Sequence, residues 1–441
     1  MAGHKRVKLA CGLTELPADI YQLADDLEIL DLSGNALSSL PDDLPRLHKL
    51  RILFCSDNRF TELPPVLGRC PQLRMVGFKA NRIAKVSAQS LPPRLRWLTL
   101  TDNCITELPA AIGQCAELQK LMLAGNRLTA LPDALAACHR LELIRLSANA
   151  LTHLPDWLFA LPRLSWLAFA GNPLCAALEA STLADSRAAL PAIAWSSLQL
   201  QEMLGEGASG VIHRAQHAAE AGAQPVAVKL FKGAMTSDGL PLSEMAACLR
   251  AGQHANLIPL RGRVSDHPDG ALGLVMALVG PEFRNLAQPP SLESCTRDVY
   301  DADCRFTLVA ALHMAAGMAA TARHLHAQGI MHGDLYAHNM LHARVGDAML
   351  GDFGAASLYP ADHAASSTRF QRVEARAFGC LLEELLERIE ASGGADVVIN
   401  SLQQLKNRCL SHNPAERPLF DEMEERLADA LRAVAPAPVS V

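Results

Sequence analysis

An α/β solenoid followed by an α+β domain is the architecture to expect of this chain. Asparagine recurs at a near-constant step: Asn35, Asn58, Asn81, Asn103, Asn126, Asn149 and Asn172 are separated by 23, 23, 22, 23, 23 and 23 residues. The period fades after Asn172. Beyond residue 190 the pattern changes to a strand, a glycine turn and a second strand in LQLQEMLGEGASGVIHRAQH, with helical stretches such as SEMAACLRAG behind them.

Each asparagine sits inside a segment of the kind LEILDLSGNALSSLP or LRWLTLTDNCITELP. A fixed internal period implies one supersecondary unit per copy, each burying its apolar face on the next. The seven copies resemble the leucine-rich repeat, which carries one short strand per turn. Alternate strand residues face opposite sides, which assigns Leu27, Leu30 and Leu32 to the core. The asparagines receive a structural task, turning their amides toward the backbone of the adjoining coil, because a buried polar group must be bonded. The outward column of the strands reads Ile29, Ile52, Met75, Trp97, Lys120, Leu143 and Trp166, with Phe54 and Met122 two positions further along their copies. A contiguous exposed apolar column marks a contact surface. Ile29, Ile52, Phe54, Met75, Trp97, Met122, Leu143 and Trp166 are therefore expected on a concave face that holds a protein substrate or regulator, or the chain's own second half.

Half the residues are apolar and a fifth are charged, a globular composition that argues against a disordered chain. A net charge of −6 supplies no basic footprint, so no nucleic-acid partner is expected. The start, MAGHKRVKLACGLTELP, has no apolar run of signal-peptide length, and no stretch reaches the roughly 20 apolar residues of a bilayer span. The expectation is a cytoplasmic protein without membrane contact. The sequence leaves the oligomeric state open. Twelve cysteines contain no C-x-x-C pair. Cys70, Cys115 and Cys138 recur at one phase of the repeat and are expected as small, buried, reduced residues.

Residues 1–190 are assigned to the repeats with capping segments, 191–432 to the second domain and 433–441 to a disordered tail. The boundary follows the alanine-rich ALEASTLADSRAALPAIAW, read as a capping helix and linker ended by Pro191, a residue that cannot continue a helix. In the second domain Gly205-x-Gly207-x-x-Gly210 precedes PVAVKLF with Lys229, then Glu244, then HGDLYAHN with Asp334 and Asn339, then GDFG with Asp352. Further on come ARAFGCLLEELLERI and RCLSHNPAERPLFDEM. In that order these stretches resemble the eukaryotic-type protein kinase domain, so the chain as a whole is similar to a leucine-rich-repeat protein kinase. The implied fold is an α/β leucine-rich-repeat solenoid followed by an α+β two-lobed protein-kinase-like domain.

By that resemblance the cofactors are ATP and Mg2+. Gly205, Gly207 and Gly210 let backbone amides approach the phosphates. Lys229 meets the phosphates, held by an ion pair with Glu244. Asp334 accepts the proton of the substrate hydroxyl, while Asn339 and Asp352 bind the metal. Ile212, Ala227 and Leu341 sandwich the adenine, with Met276 in the gatekeeper place and Leu278 offering backbone. His326 matches a framework histidine, so neither it nor His324 is read as a metal ligand. The activity implied is transfer to protein hydroxyls, Ser/Thr slightly ahead of Tyr.

Several residues depart from the family pattern. Gly333 stands where many kinases carry an arginine that pairs with a phosphorylated activation segment, so activity independent of such phosphorylation is expected. Tyr336 replaces the lysine two places after the catalytic Asp in most Ser/Thr kinases. Nineteen residues, Ala355 to Val373, lie between DFG and the expected central helix. No Ala-Pro-Glu closes them, which leaves Arg417 without its usual carboxylate; Glu374, in the place of an Asp that orients the catalytic loop, is a substitute. Ser357, Tyr359, Ser366, Ser367 and Thr368 are candidate phosphorylation sites. Two other classes stay open, a nucleotide-binding scaffold with weak or no turnover and a small-molecule phosphotransferase.

Overall fold

The computed structural model describes residues 5–207, 209–219, 222–233, 235–236, 238–361, 364–390 and 396–434, the side chains of 186–189 and 364–366 excepted. It divides into two compact units: Met1–Leu164 with Gly171–Leu174, and Ser165–Ala170 with Cys175–Val441. The helix read as repeat cap and linker thus counts with the second unit.

The repeats are built on eight three-residue strands in one sheet that follows chain order: β1 (Arg6–Lys8), β2 (Ile29–Asp31), β3 (Ile52–Phe54), β4 (Met75–Gly77), β5 (Trp97–Thr99), β6 (Lys120–Met122), β7 (Leu143–Arg145) and β8 (Trp166–Ala168). Pairing is parallel and in register, Ile29 on Ile52 on Met75 on Trp97 on Lys120 on Leu143. Leu27, Leu30 and Leu32 are fully buried. Each asparagine joins two coils. Asn103 Nδ2 donates to the carbonyls of Phe78 and Leu100, and its Oδ1 accepts from the Ile83 amide at 2.9 Å. Asn126 repeats this one copy later with Leu100, Leu123 and Ile105. One strand escaped the sequence reading: β1 has Gly12 where the other copies carry asparagine, so the periodic signal is missing there.

The expected exposed column is a correction. Ile52, Met75, Met122, Leu143 and Trp166 are buried, and only Ile29, Phe54 and Trp97 of the eight residues keep part of their surface. In-register rungs lie about 4.8 Å apart, so like positions pack on one another. The Lys120 ammonium sits 4.2 Å from the Trp97 ring centroid, and Trp97 Nε1 donates to Thr99 Oγ1 at 2.8 Å. Trp166 is 1% exposed and stacks on Tyr336.

After α1 (Asp156–Ala160) and α2 (Pro173–Ala189) the second unit opens with a six-stranded sheet in the order β10-β11-β12-β14-β13-β9. Its strands are β9 (Ala192–Ala194), β10 (Leu198–Glu206), β11 (Gly210–Ala219), β12 (Gly222–Phe231), β13 (Leu260–Ser265) and β14 (Gly273–Ala277), with α3 (Pro241–Ala251) between β12 and β13. The stretch read as a capping helix and linker also supplies a strand, β9, parallel to β13. Alanine gives a strand this short no signature. A helical lobe follows, with α4 (Leu308–Ala327), α5 (Ala364–Leu386), α6 (Asp396–Cys409) and α7 (Phe420–Val434). Short strands run between: β15 (Arg284–Asn285), β16 (Ile330–Met331), β17 (Met340–His342), β18 (Ala348–Leu350) and β19 (Ser357–Leu358). The fold is an α/β repeat solenoid followed by an α+β two-lobed unit. α7 reaches Val434, so the expected tail from 433 starts inside a helix; 435–441 lie outside the described residues. All twelve cysteines are free thiols, and among the described residues no helix is long and apolar enough to cross a membrane.

Candidate active site

The glycine turn joins β10 to β11, and its glycines differ in kind. A Cβ on Gly205 or Gly207 would meet nothing within 4 Å, whereas one on Gly210 would fall 2.5 Å from the Leu230 carbonyl oxygen of β12. Gly210 is therefore required for strand packing. Gly205 and Gly207 leave an open backbone surface that a phosphate can approach. In register, Lys229 of β12 lies between Ile212 of β11 and Leu274 of β14.

Lys229 Nζ pairs with Glu244 Oε1 from α3, both residues being buried, and Asp352 Oδ1 stands 3.9 Å from the same nitrogen. Burial opposes the ammonium, but the Glu244 and Asp352 carboxylates outweigh it and hold the Lys229 pKa above the usual lysine value. A buried lysine that keeps its charge is a fixed cation for an anionic ligand. Asp352 has φ +48°, a left-handed conformation uncommon outside glycine. Its Oδ1 accepts from the Gly354 amide at 3.0 Å.

The loop after β16 carries Asp334 and Asn339. Asn339 Nδ2 donates to Asp334 Oδ2 at 2.8 Å and to the Asp334 carbonyl at 3.0 Å, which leaves its amide oxygen for a cation. His332 Nε2 donates to the Gly351 carbonyl at 3.0 Å, tying this loop to the Asp352 segment. Beneath the loop the wholly buried Glu374 accepts from the amides of His332 (3.3 Å) and Gly333 (2.7 Å), and His326 Nε2 lies 2.9 Å from the same carboxylate. Burial raises the Glu374 pKa, yet His326, His332 and the Gly333 amide outweigh it and leave it below the ordinary value.

The sequence did not disclose the neighbour of His338. Its Nδ1 donates to Asp298 Oδ1 at 2.7 Å, and its backbone amide donates to Asp298 Oδ2 at 2.8 Å. Asp298 sits in an irregular loop 40 residues upstream, so no local pattern marks it. Burial lowers the His338 pKa, but the Asp298 bond prevails and the net shift is upward from 6.5. A raised imidazole pKa stabilises the fold fully below the unfolded value and loses that contribution as pH rises through the folded one. Asp298→Asn is therefore expected to flatten the fall in melting temperature that the native protein shows on going above pH 6.5. Parallel slopes for the two proteins count against an ionised His338–Asp298 pair.

An apolar cavity runs from the glycine turn past Lys229 and Glu244 to Cys248 and Leu257, with Ile212 and Met276 in its wall. Of the residues expected around an adenine, Ile212 and Met276 line it; Ala227, Leu278 and Leu341 do not. The cavity follows the α3 side of the cleft, whereas Ala227 pairs with Met276 inside the sheet and Leu341 with Met349 on β17 and β18.

A family model described as protein tyrosine and serine/threonine kinase matches residues 198–397, a span holding the glycine turn, Lys229, Glu244, Asp334, Asn339 and Asp352. Leucine-rich-repeat models match residues 26–47 and 116–174. The chain joins leucine-rich repeats to a protein kinase domain. A search of curated proteins gave no match.

In the kinase domain the segment after DFG differs from expectation. Helix α5 begins at Ala364, so the helix takes up the second half of the nineteen residues read as loop. Ser367 and Thr368 therefore lie on a helix; the side chain of Ser366 is outside those described. Ser357 and Tyr359 are buried, Ser357 bonded to the Ala355 carbonyl and Tyr359 to His326. Buried hydroxyls that hold their own loop are poor phosphorylation sites, and both expectations are corrected. Arg417 donates to the carbonyls of Ser411 (3.0 Å) and Arg372 (3.1 Å), while Glu374 accepts from the loop that carries Asp334.

Proposed function

We propose that the chain transfers the γ-phosphate of ATP, with Mg2+, to hydroxyl groups of proteins, Ser or Thr ahead of Tyr, and that its repeats bring the protein partner to the cleft. The observation that carries this reading is the meeting of distant stretches: Lys229 on Glu244, Asp352 3.9 Å from the lysine, and Asn339 bonded to Asp334. The Ser/Thr preference rests only on that acceptor being the commoner one in the family.

Among the described residues no cluster of three or more His, Cys, Asp or Glu forms a metal cage. Asn339 and Asp352 offer two oxygen donors, and two suit Mg2+, which keeps waters and takes other ligands from phosphates. Bound there, the ion neutralises charge on the phosphates. Lys229 places a fixed cation against the α- and β-phosphates, and the turn at Gly205 and Gly207 presents backbone amides. Ile212, Ala227 and Leu341 flank the adenine, with Met276 and Leu278 at its edge. Asp334 takes the proton of the attacking hydroxyl, and the Asn339 bond to Oδ2 fixes the direction of that carboxylate. On the repeats, the part-exposed Ile29, Phe54 and Trp97 offer contact to the partner, and tethering raises its effective concentration at the cleft.

Labelled ATP with Mg2+ tests this on the whole chain. Label on the protein or on dephosphorylated casein is expected to fall at least about a hundredfold in Lys229→Met and in Asp334→Asn. The phosphoamino acid released reports the hydroxyl class. Equal labelling by Asp334→Asn and native protein defeats the proposed role of Asp334. Nucleotide binding by the native chain without label on itself or on casein leaves the scaffold and the small-molecule phosphotransferase.

A further inference from the structure

The short stretch Ser165–Ala170 counts with the kinase unit, and its contacts explain why. Trp166 lies flat on Tyr336, ring centroids 4.2 Å apart and planes 7° from parallel, and its Nε1 donates to the Leu335 carbonyl at 3.3 Å. Leu335 and Tyr336 directly follow Asp334. The Phe169 amide donates to Ser357 Oγ at 2.9 Å, and the Phe169 ring stacks on Phe370 of α5 at 5.1 Å. Ser165 Oγ accepts from Arg376 of α5 at 2.6 Å. The Leu167 carbonyl oxygen would be only 2.5 Å from a Cβ on Gly333. Four residues of this six-residue stretch, Ser165, Trp166, Leu167 and Phe169, thus touch the loop carrying Asp334, the segment after DFG and the first half of α5.

We propose that Ser165–Ala170 is a built-in positioning element of the kinase domain, with Trp166 as its anchor, holding the catalytic loop in place without a phosphorylated activation segment. The proposal rests on the phosphotransferase reading for its kinetic consequence but not for its structural one. Two features of the loop fit it. Gly333 has no side chain to reach a phosphate, and the space beside it belongs to Leu167. Ser357 is fully buried under Phe169, so it braces the segment rather than receiving phosphate. Trp166 acts on Asp334 through Leu335 and Tyr336, so it is a positioning residue and the nucleotide cleft lies outside its reach.

The whole chain is compared with Trp166→Ala, Trp166→Phe and, as a control, Trp157→Ala, whose indole bonds only to Asp133 on the repeats among the contacts described. Hydrogen exchange of the amides from 333 to 339 is read without nucleotide. Exchange there is expected to speed up about tenfold or more in Trp166→Ala and to stay native in Trp157→Ala. With ATP and casein, kcat is expected to fall about a hundredfold in Trp166→Ala while KM for ATP stays within about twofold. Trp166→Phe keeps the stack and recovers most of kcat, and phosphatase treatment leaves the native kcat unchanged. If Trp166→Ala does not fold, Trp166→Leu, which keeps apolar bulk without the stack, is read the same way. Native exchange in the loop of a folded stack-less variant overturns the proposal, whether or not the native chain transfers phosphate. A rise in kcat also overturns it, since the stretch then blocks the loop instead of supporting it. Absence of transfer by the native chain is the failure of the kinase reading alone, and the exchange result still decides this one.

Discussion

Gly333→Arg is expected to lower stability and abolish activity. Gly333 has φ +72°, and a Cβ there would lie 2.5 Å from the Leu167 oxygen and 2.8 Å from that of Ala355. The left-handed backbone costs a non-glycine residue about 1–2 kcal/mol. Forcing atoms into a packed site adds about 1–3 kcal/mol. Together these predict a fall in melting temperature of roughly 10 °C for a domain of this size. Because both oxygens are backbone atoms met at Cβ, Gly333→Ala should show most of the loss. Thermal unfolding of both variants checks this. An alanine variant as stable as the native chain, beside an unstable arginine variant, moves the clash beyond Cβ and refutes the account.

Glu374→Ala should be the second severe change. The carboxylate is wholly buried and accepts from the amides of His332 and Gly333 with His326 beside it. Removing one side of such a buried, charge-assisted set costs about 3–5 kcal/mol, because its partners are left without a bond. The loop carrying Asp334 loses its support, so activity goes with stability. Glu374→Gln separates shape from charge. The depressed Glu374 pKa means that its contribution is complete above 4.5, the ordinary value, and is lost as pH falls through the lower folded value. Between pH 4.5 and that folded value the native protein should lose stability more steeply than Glu374→Gln. Equal acid limbs in denaturant unfolding show that the carboxylate is not held ionised.

Much of this molecule is legible in its sequence. The asparagine period specified the repeats because each copy states its own strand and turn locally, and the amide bonds of Asn103 and Asn126 follow directly. Where one local mark was absent, at Gly12 for β1 and in the alanines of β9, the strand went unseen. The order from the glycine turn through Lys229, Glu244, Asp334, Asn339 and Asp352 was likewise readable, since each residue type states a chemical task. What only the tertiary structure decided lies between stretches far apart in the chain. Trp166 was read as a wetted contact residue and lies on Tyr336, 170 positions away. Gly333 was read as a missing arginine and is a place where another backbone passes. His338 found Asp298, and two candidate phosphorylation sites, Ser357 and Tyr359, were buried. Periodicity and motif order record what a residue does among its neighbours in sequence. The cover over a side chain comes from whichever distant segment folds against it, and such a pair leaves no repeating mark in either segment.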